Sequence, residues 1–225
     1  MKQPLWKRWL SYFFEWHVES APSDINPHLY VSLRRGRYLL SSANAVYSYG
    51  DLYNNFTRTF QKLDFKRADI QNVLVLGFGL GSIPFMLEKV FKKNYRYTGV
   101  EIDENVIYLA NKYVLPELKS SIEIFLADAY PFVFQNREQF DLIALDVFLD
   151  DKVPPKFEET EFLQQLKKLL TASGILLYNR LSLSKKDVRL TNTFFEEKFK
   201  AVFPDATFRD MGGNWMLVNR SGIFN

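Results

Sequence analysis

Val73-Leu74-Val75-Leu76-Gly77-Phe78-Gly79-Leu80-Gly81-Ser82 is the stretch on which the fold turns. Four aliphatic residues running into G-x-G-x-G predict a buried strand over 72–76, a glycine-lined turn and a helix over 82–92. Glycines at this turn let the backbone approach a bound nucleotide, which a Cβ would block. The same pattern also marks an ordinary tight βα turn, so the residues downstream have to decide.

Working outward, further strands are predicted over 97–101, 122–126, 141–145 and 174–179. Helical patterns over 105–114, 160–170 and 185–202 fall between and after them. Strand–helix alternation implies parallel pairing with right-handed crossovers. The chain then closes with strands over 206–209 and 215–218 around Met211-Gly212-Gly213-Asn214, the signature of an antiparallel hairpin. The expected fold is α/β: a Rossmann-like, seven-stranded sheet of the methyltransferase type, parallel except for that hairpin. Upstream, Arg34-Arg35-Gly36 lies between two β-prone runs and predicts another hairpin. The expected organisation is an N-terminal helix and hairpin segment over 1–50 and a nucleoside-binding domain over 51–225, with Asp51 capping a helix that runs to about Leu63.

Acids recur at the predicted carboxyl ends of the strands. Tyr97-Thr98-Gly99-Val100-Glu101 ends in Glu101, 20 residues after Gly81. A carboxylate there accepts both ribose hydroxyls, the alternative being a solvated loop acid. Asp128 follows the next strand and is suited to accept an adenine amino hydrogen, to cap a helix, or both. Asp146 follows the fourth strand, with Asp150 and Asp151 close behind. That acidic group suits a cationic acceptor and equally an exposed loop. The loop lacks the spaced third Gly of a dinucleotide fingerprint, which argues against NAD.

These residues resemble the spermidine synthase (polyamine aminopropyltransferase) family within the class I methyltransferase-like fold, from about Leu29 to Asn179. Gly77-Phe78-Gly79-Leu80-Gly81 resembles its glycine loop, Val100-Glu101-Ile102-Asp103 its ribose-binding strand, and Ala127-Asp128-Ala129 its adenine motif. Asp141-Leu142-Ile143-Ala144-Leu145-Asp146 resembles the strand bearing its catalytic Asp, and Ala45-Val46-Tyr47-Ser48-Tyr49-Gly50-Asp51 the stretch leading to its gate. The resemblance implies a cofactor set of Gly77, Gly79, Gly81, Glu101, Ile102, Asp128 and Ala129. It also implies Asp146 and Tyr47 at the reaction centre, and Asp51 and Asp150 toward the acceptor. The co-substrate implied is S-adenosylmethionine or its decarboxylated form, with a small amine as acceptor. Three positions depart from the pattern: Leu80 and Leu52 stand where acids are expected, and Val46 where Gln is expected. The alternative reading is a non-catalytic nucleoside-binding or assembly module.

The absence of cysteine excludes disulfides and thiolate chemistry. His17 and His28 have no paired-ligand spacing, so no metal is expected. A net charge of +3 without a basic stripe argues against nucleic acid. No apolar run is long enough to span a membrane, and charges interrupt any leader pattern at the start, so a cytoplasmic location is expected. Leu5, Trp6, Trp9, Leu10, Phe13 and Trp16 recur at helical spacing, as for a stripe packed on the body or on a partner subunit, with membrane-surface contact as another reading. A homodimer is the expected assembly.

Overall fold

A computed structural model describes residues 3–43, 45–65, 69–148 and 152–224. Strand β5 (Asn72–Leu76) is the central element, and its four aliphatic side chains are wholly buried. Val73 and Val75 join one core cluster, and Leu74 and Leu76 join the other. A strand covered on both faces needs apolar residues at every position, which is why the run does not alternate.

Around β5 lie β6 (Arg96–Glu101), β7 (Ser121–Leu126), β8 (Phe140–Leu145) and β9 (Leu170–Leu181), all parallel. The hairpin β10 (Thr207–Asp210) and β11 (Asn214–Val218) adds antiparallel strands, giving the order β10-β11-β9-β8-β5-β6-β7. The seven-stranded sheet is therefore as expected. The chain runs outward from β5 through β6 to β7 and then returns to β8 on the other side. That reversal opens a crevice at the carboxyl ends of β5 and β8.

One face of the sheet is covered by α6 (Thr160–Lys168), α7 (Lys185–Phe194) and α5 (Ala129–Gln135). Full burial of Phe162, Leu163 and Leu166 contributes roughly 1.5–3 kcal/mol per side chain. The other face meets α2 (Asn54–Lys62), α3 (Ser82–Phe85), α4 (Glu104–Tyr113) and a four-stranded antiparallel N-terminal sheet. That sheet comprises β1 (Trp16–Ser20), β2 (Tyr30–Arg34), β3 (Arg37–Ser41) and β4 (Val46–Ser48). Its expected hairpin is present, with Arg35 and Gly36 both at positive φ in the two-residue turn.

Several expectations are corrected. The N-terminal helix α1 (Leu5–Leu10) ends early, and Trp16 begins β1, paired to Leu33. No α1 residue is buried, so the body half of that reading is corrected: Leu5, Trp6, Trp9 and Phe13 of the stripe are exposed. A helix without a buried face has little to extend it against strand pairing. Asp51 does not cap α2, because it sits in a 3-10 turn (Gly50–Leu52) and pairs with Arg37. The helix expected over 185–202 is interrupted by a π-helical stretch (Phe195–Phe199) before α8 (Lys200–Val202), and α3 passes into a similar one (Met86–Val90). Strand β9 starts at Leu170 rather than at Gly174. Helix α5, anticipated only through the capping reading of Asp128, begins with Ala129-Tyr130-Pro131, a weak helix signal. Pro131 lies in the first turn, where its missing N–H costs no intrahelical bond. No helix among the described residues is long and apolar enough to cross a membrane.

Candidate active site

The crevice is built from strand ends. Gly77 follows β5 at φ +83°, and a Cβ there would collide with the backbone carbonyl of Asp146 after β8. Gly79, at φ +56°, passes close to the Tyr47 carbonyl. Positive φ favours glycine at both places, and at Gly77 space requires it as well.

Glu101, at the end of β6, is not a free loop acid. Its Oε2 accepts from Gly79 N at 2.9 Å, and its Oε1 accepts from Ile102 N at 2.9 Å and Asp103 N at 3.2 Å. Burial pushes its pKa above the usual value, with the three N–H groups opposing. The carboxylate thus locks the glycine loop to the next strand; Oε1 is filled by its two donors, and Oε2 keeps lone-pair capacity for a hydroxyl donor. Asp128 caps α5, its Oδ1 accepting from Tyr130 N at 2.9 Å, while its Oδ2 meets Lys156 Nζ. The capping alternative is realised, and its other oxygen faces a cation.

Asp146 lies at the switch point. Its Oδ1 accepts from Asn179 Nδ2 at 2.8 Å, and Tyr53 also donates to it. Burial raises its pKa to about 6 against the pull of those two donors, and burial together with the neighbouring Asp146 pushes Tyr53 well above the usual phenol range. The Asn179 Oδ1 atom is buried and without a partner. A carboxyl that titrates near neutrality beside an unsatisfied acceptor is suited to hold and accept protons.

A clasp closes the other side. Asp103 caps α4 through Asn105 N and accepts from Ser23 Oγ at 2.5 Å and Asn26 Nδ2 at 3.1 Å. Asn26 Oδ1 in turn accepts from the Tyr47 hydroxyl at 3.0 Å. The loop between β1 and β2 is thereby pinned over the crevice.

Gly77, Gly79, Glu101, Ile102, Asp128, Ala129, Asp146 and Tyr47 line one cleft. Gly81 does not line it and instead precedes α3 behind the loop. Asp51 is also outside the lining, held by Arg37, and Asp150 with Asp151 lies outside the described residues. Sequence reasoning missed Lys156 and Asn26 in the lining, and Tyr53 and Asn179 behind Asp146. Only Asn179, a polar residue late in a buried strand, carried a usable signal. No cluster of metal-ligating residues occurs among the described residues.

The spermine/spermidine synthase domain model matches residues 61–209, about two thirds of the chain. The chain belongs to that family. A polyamine aminopropyltransferase of Vibrio vulnificus (strain CMCP6) is 30% identical over 118 residues, covering 51% of this chain and 39% of that protein. The chain therefore spans less than half the length of that relative. The crystal structure of human methyltransferase-like protein 13 in complex with SAH superposes at a TM-score of 0.57 and 27% identity, over 68% of this chain and 73% of that one. A spermidine synthase in complex with the transition state analogue AdoDATO superposes at 0.66, over 92% of this chain and 74% of that one. At 18% identity that likeness concerns the fold. Within the spermine/spermidine synthase family's pattern, Leu80 stands where an acid is expected. It is buried and lines no part of the cleft.

Proposed function

We propose that this cleft binds S-adenosylmethionine and that the chain transfers its methyl group to an amine. The observation that carries the reading is Asp146: one carboxyl with a pKa near neutrality, in the same cleft as Glu101 and Asp128. Family membership and the SAH-bound structural relative support the nucleoside half. The close approach of Gly77 and Gly79, where a Cβ would fill the cradle, fits it too.

Bound S-adenosylmethionine supplies a sulfonium carbon open to attack, with the C–S bond electrons leaving on sulfur as a neutral thioether. Glu101 orients the ribose hydroxyls, and Asp128 accepts from the adenine edge. Asp146 orients the incoming amine, and its carboxylate takes the proton that nitrogen releases. Tyr47 and Asn26 wall the approach and exclude water. Asp51 is proposed to act only through Arg37 and the turn they hold.

Aminopropyl transfer from the decarboxylated form is the second reading, favoured by the Vibrio relative. Leu80 weighs against it, since the resemblance implies that an acid there would hold the aminopropyl ammonium. Calorimetry with S-adenosylmethionine, decarboxylated S-adenosylmethionine and methylthioadenosine separates them, followed by turnover with a panel of amines. Preference for S-adenosylmethionine with methylated product supports the proposal, and preference for the decarboxylated form replaces it with the second reading. Binding of none of the three sinks both.

A further inference from the structure

A second cavity of about 240 Å³ lies behind the glycine loop, between β3, α3 and the far end of α4. Three cations line it, Arg8, Arg37 and Lys89, against one carboxylate, Glu117. Each cation has an acidic partner and donors to spare. Arg8 Nη2 bonds Glu117 Oε1 at 2.9 Å, while its Nε is buried and without a partner among the described residues. Arg37 gives Nε and Nη2 to Asp51, and its Nη1 reaches only the Gly36 carbonyl, at 3.4 Å. Lys89 Nζ bonds Glu88 Oε1 at 2.6 Å, and the other Glu88 oxygen is taken by Lys119 N, Ser120 N and Ser120 Oγ. Asp51 and Glu88 spend both carboxylate oxygens in these contacts, while N–H donors remain on all three cations. Tyr38, Phe85 and Val114 give apolar walls, with the Arg37 guanidinium 5.6 Å over the Phe85 ring.

We infer that this cavity binds a small oxyanion, a phosphate or carboxylate group, at a site separate from the nucleoside cleft. The guanidinium and ammonium N–H donors left over from these ion pairs match an oxyanion, and a cavity of this volume admits one. The wall between the two cavities is shared: Tyr47 and Gly79 line the nucleoside cleft, while Ser48, Gly50 and Leu80 line this one. Ser48 Oγ and Ser82 Oγ hydrogen-bond at 2.6 Å, and Tyr49 N donates to Ser82 Oγ at 3.0 Å, joining the β4 segment to the start of α3. An anion that draws on Arg37 acts on this wall, so the two sites are coupled, each altering the other's affinity by the same factor.

The test is calorimetric titration of the full chain with inorganic phosphate at low ionic strength, against chloride at matched ionic strength. Phosphate is expected to bind with a dissociation constant on the order of 1 mM or tighter, and Arg8→Gln and Lys89→Gln each weaken it by about five-fold or more. Glu117→Gln removes the competing carboxylate and is expected to tighten binding by about three-fold, a gain that misfolding cannot imitate. Heats equal to those of chloride, or variants that bind as wild type does, overturn the site. Repeating the titration with S-adenosylhomocysteine saturating the first cleft separates the two cavities: abolished phosphate binding places the anion in the nucleoside cleft and overturns the proposal. An affinity unchanged by that ligand overturns the coupling. Failure of S-adenosylhomocysteine to bind counts against the proposed function and leaves the phosphate titration standing.

Discussion

Asn179 donates its amide hydrogen to Asp146 Oδ1 at 2.8 Å while its own carbonyl oxygen, buried on β9 two strands over from β5, has no partner among the described residues. The donor favours the charged form of Asp146, against the burial that disfavours it. Asn179→Leu removes the donor, so Asp146 should titrate higher. The acid limb of the pH–rate profile is expected to move up by about 1–2 units, the size of one hydrogen bond to a charged group. An unchanged limb would show that Asp146 does not govern it.

Asp146 also makes stability depend on pH. Its folded pKa, about 6, lies above the unfolded value of 3.8, so the native state binds the extra proton between them. The stability from that group is full below about pH 4 and is lost as pH rises through about 6, by up to roughly 3 kcal/mol. Asp146→Asn should flatten this slope and raise stability at pH 7 by about 1–3 kcal/mol while abolishing turnover. Urea unfolding at several pH values checks it, and a slope equal to wild type would contradict the assignment.

Glu101→Gln replaces an acceptor-only group with one bearing an NH₂ that must face Gly79 N–H or the Ile102 and Asp103 N–H pair. A buried donor facing a donor costs about 1–3 kcal/mol. S-adenosylhomocysteine affinity is expected to fall by about ten-fold or more, because the glycine loop loses its tether and the ribose its acceptor. Calorimetry on the folded variant reads this directly.

Lys156 occupies the Asp128 oxygen that an adenine amino group would use. The pair is partly exposed, so it is worth only about 0.2–1 kcal/mol. Lys156→Met should therefore tighten S-adenosylhomocysteine binding by about two- to five-fold and reduce its salt dependence. Weaker binding would instead make Lys156 a ligand-holding residue.

The glycine loop, the three acids Glu101, Asp128 and Asp146 and the sheet order were legible because each rests on a local rule: buried runs read as central strands, and ligands gather at strand ends where the topology reverses. Asp103 and its clasp to Ser23 and Asn26 were not legible, because those contacts join residues about 80 positions apart in the chain. Tyr53 was hidden for a similar reason: nothing in its neighbourhood marks it as the partner of an acid at position 146. The strand at Trp16 was misread as helix because its spacing satisfied the helical period, and only pairing with β2 overrides that preference. Asp51 was misplaced because Arg37, its partner across the N-terminal sheet, competes for the same carboxylate as a helix cap.

The division of labour around the crevice has a consequence for how such a chain diversifies. Glu101, Asp128 and Asp146 hang on the ends of sheet strands, where moving any one of them disturbs the core. Asn26 and Lys156 sit on connections between strands, and Tyr47 sits on the short edge strand β4 of the N-terminal sheet. Mutational drift can rewrite the second group while the first stays fixed. A lineage with this architecture is free to exchange the molecule it modifies many times over without relearning how to hold the donor.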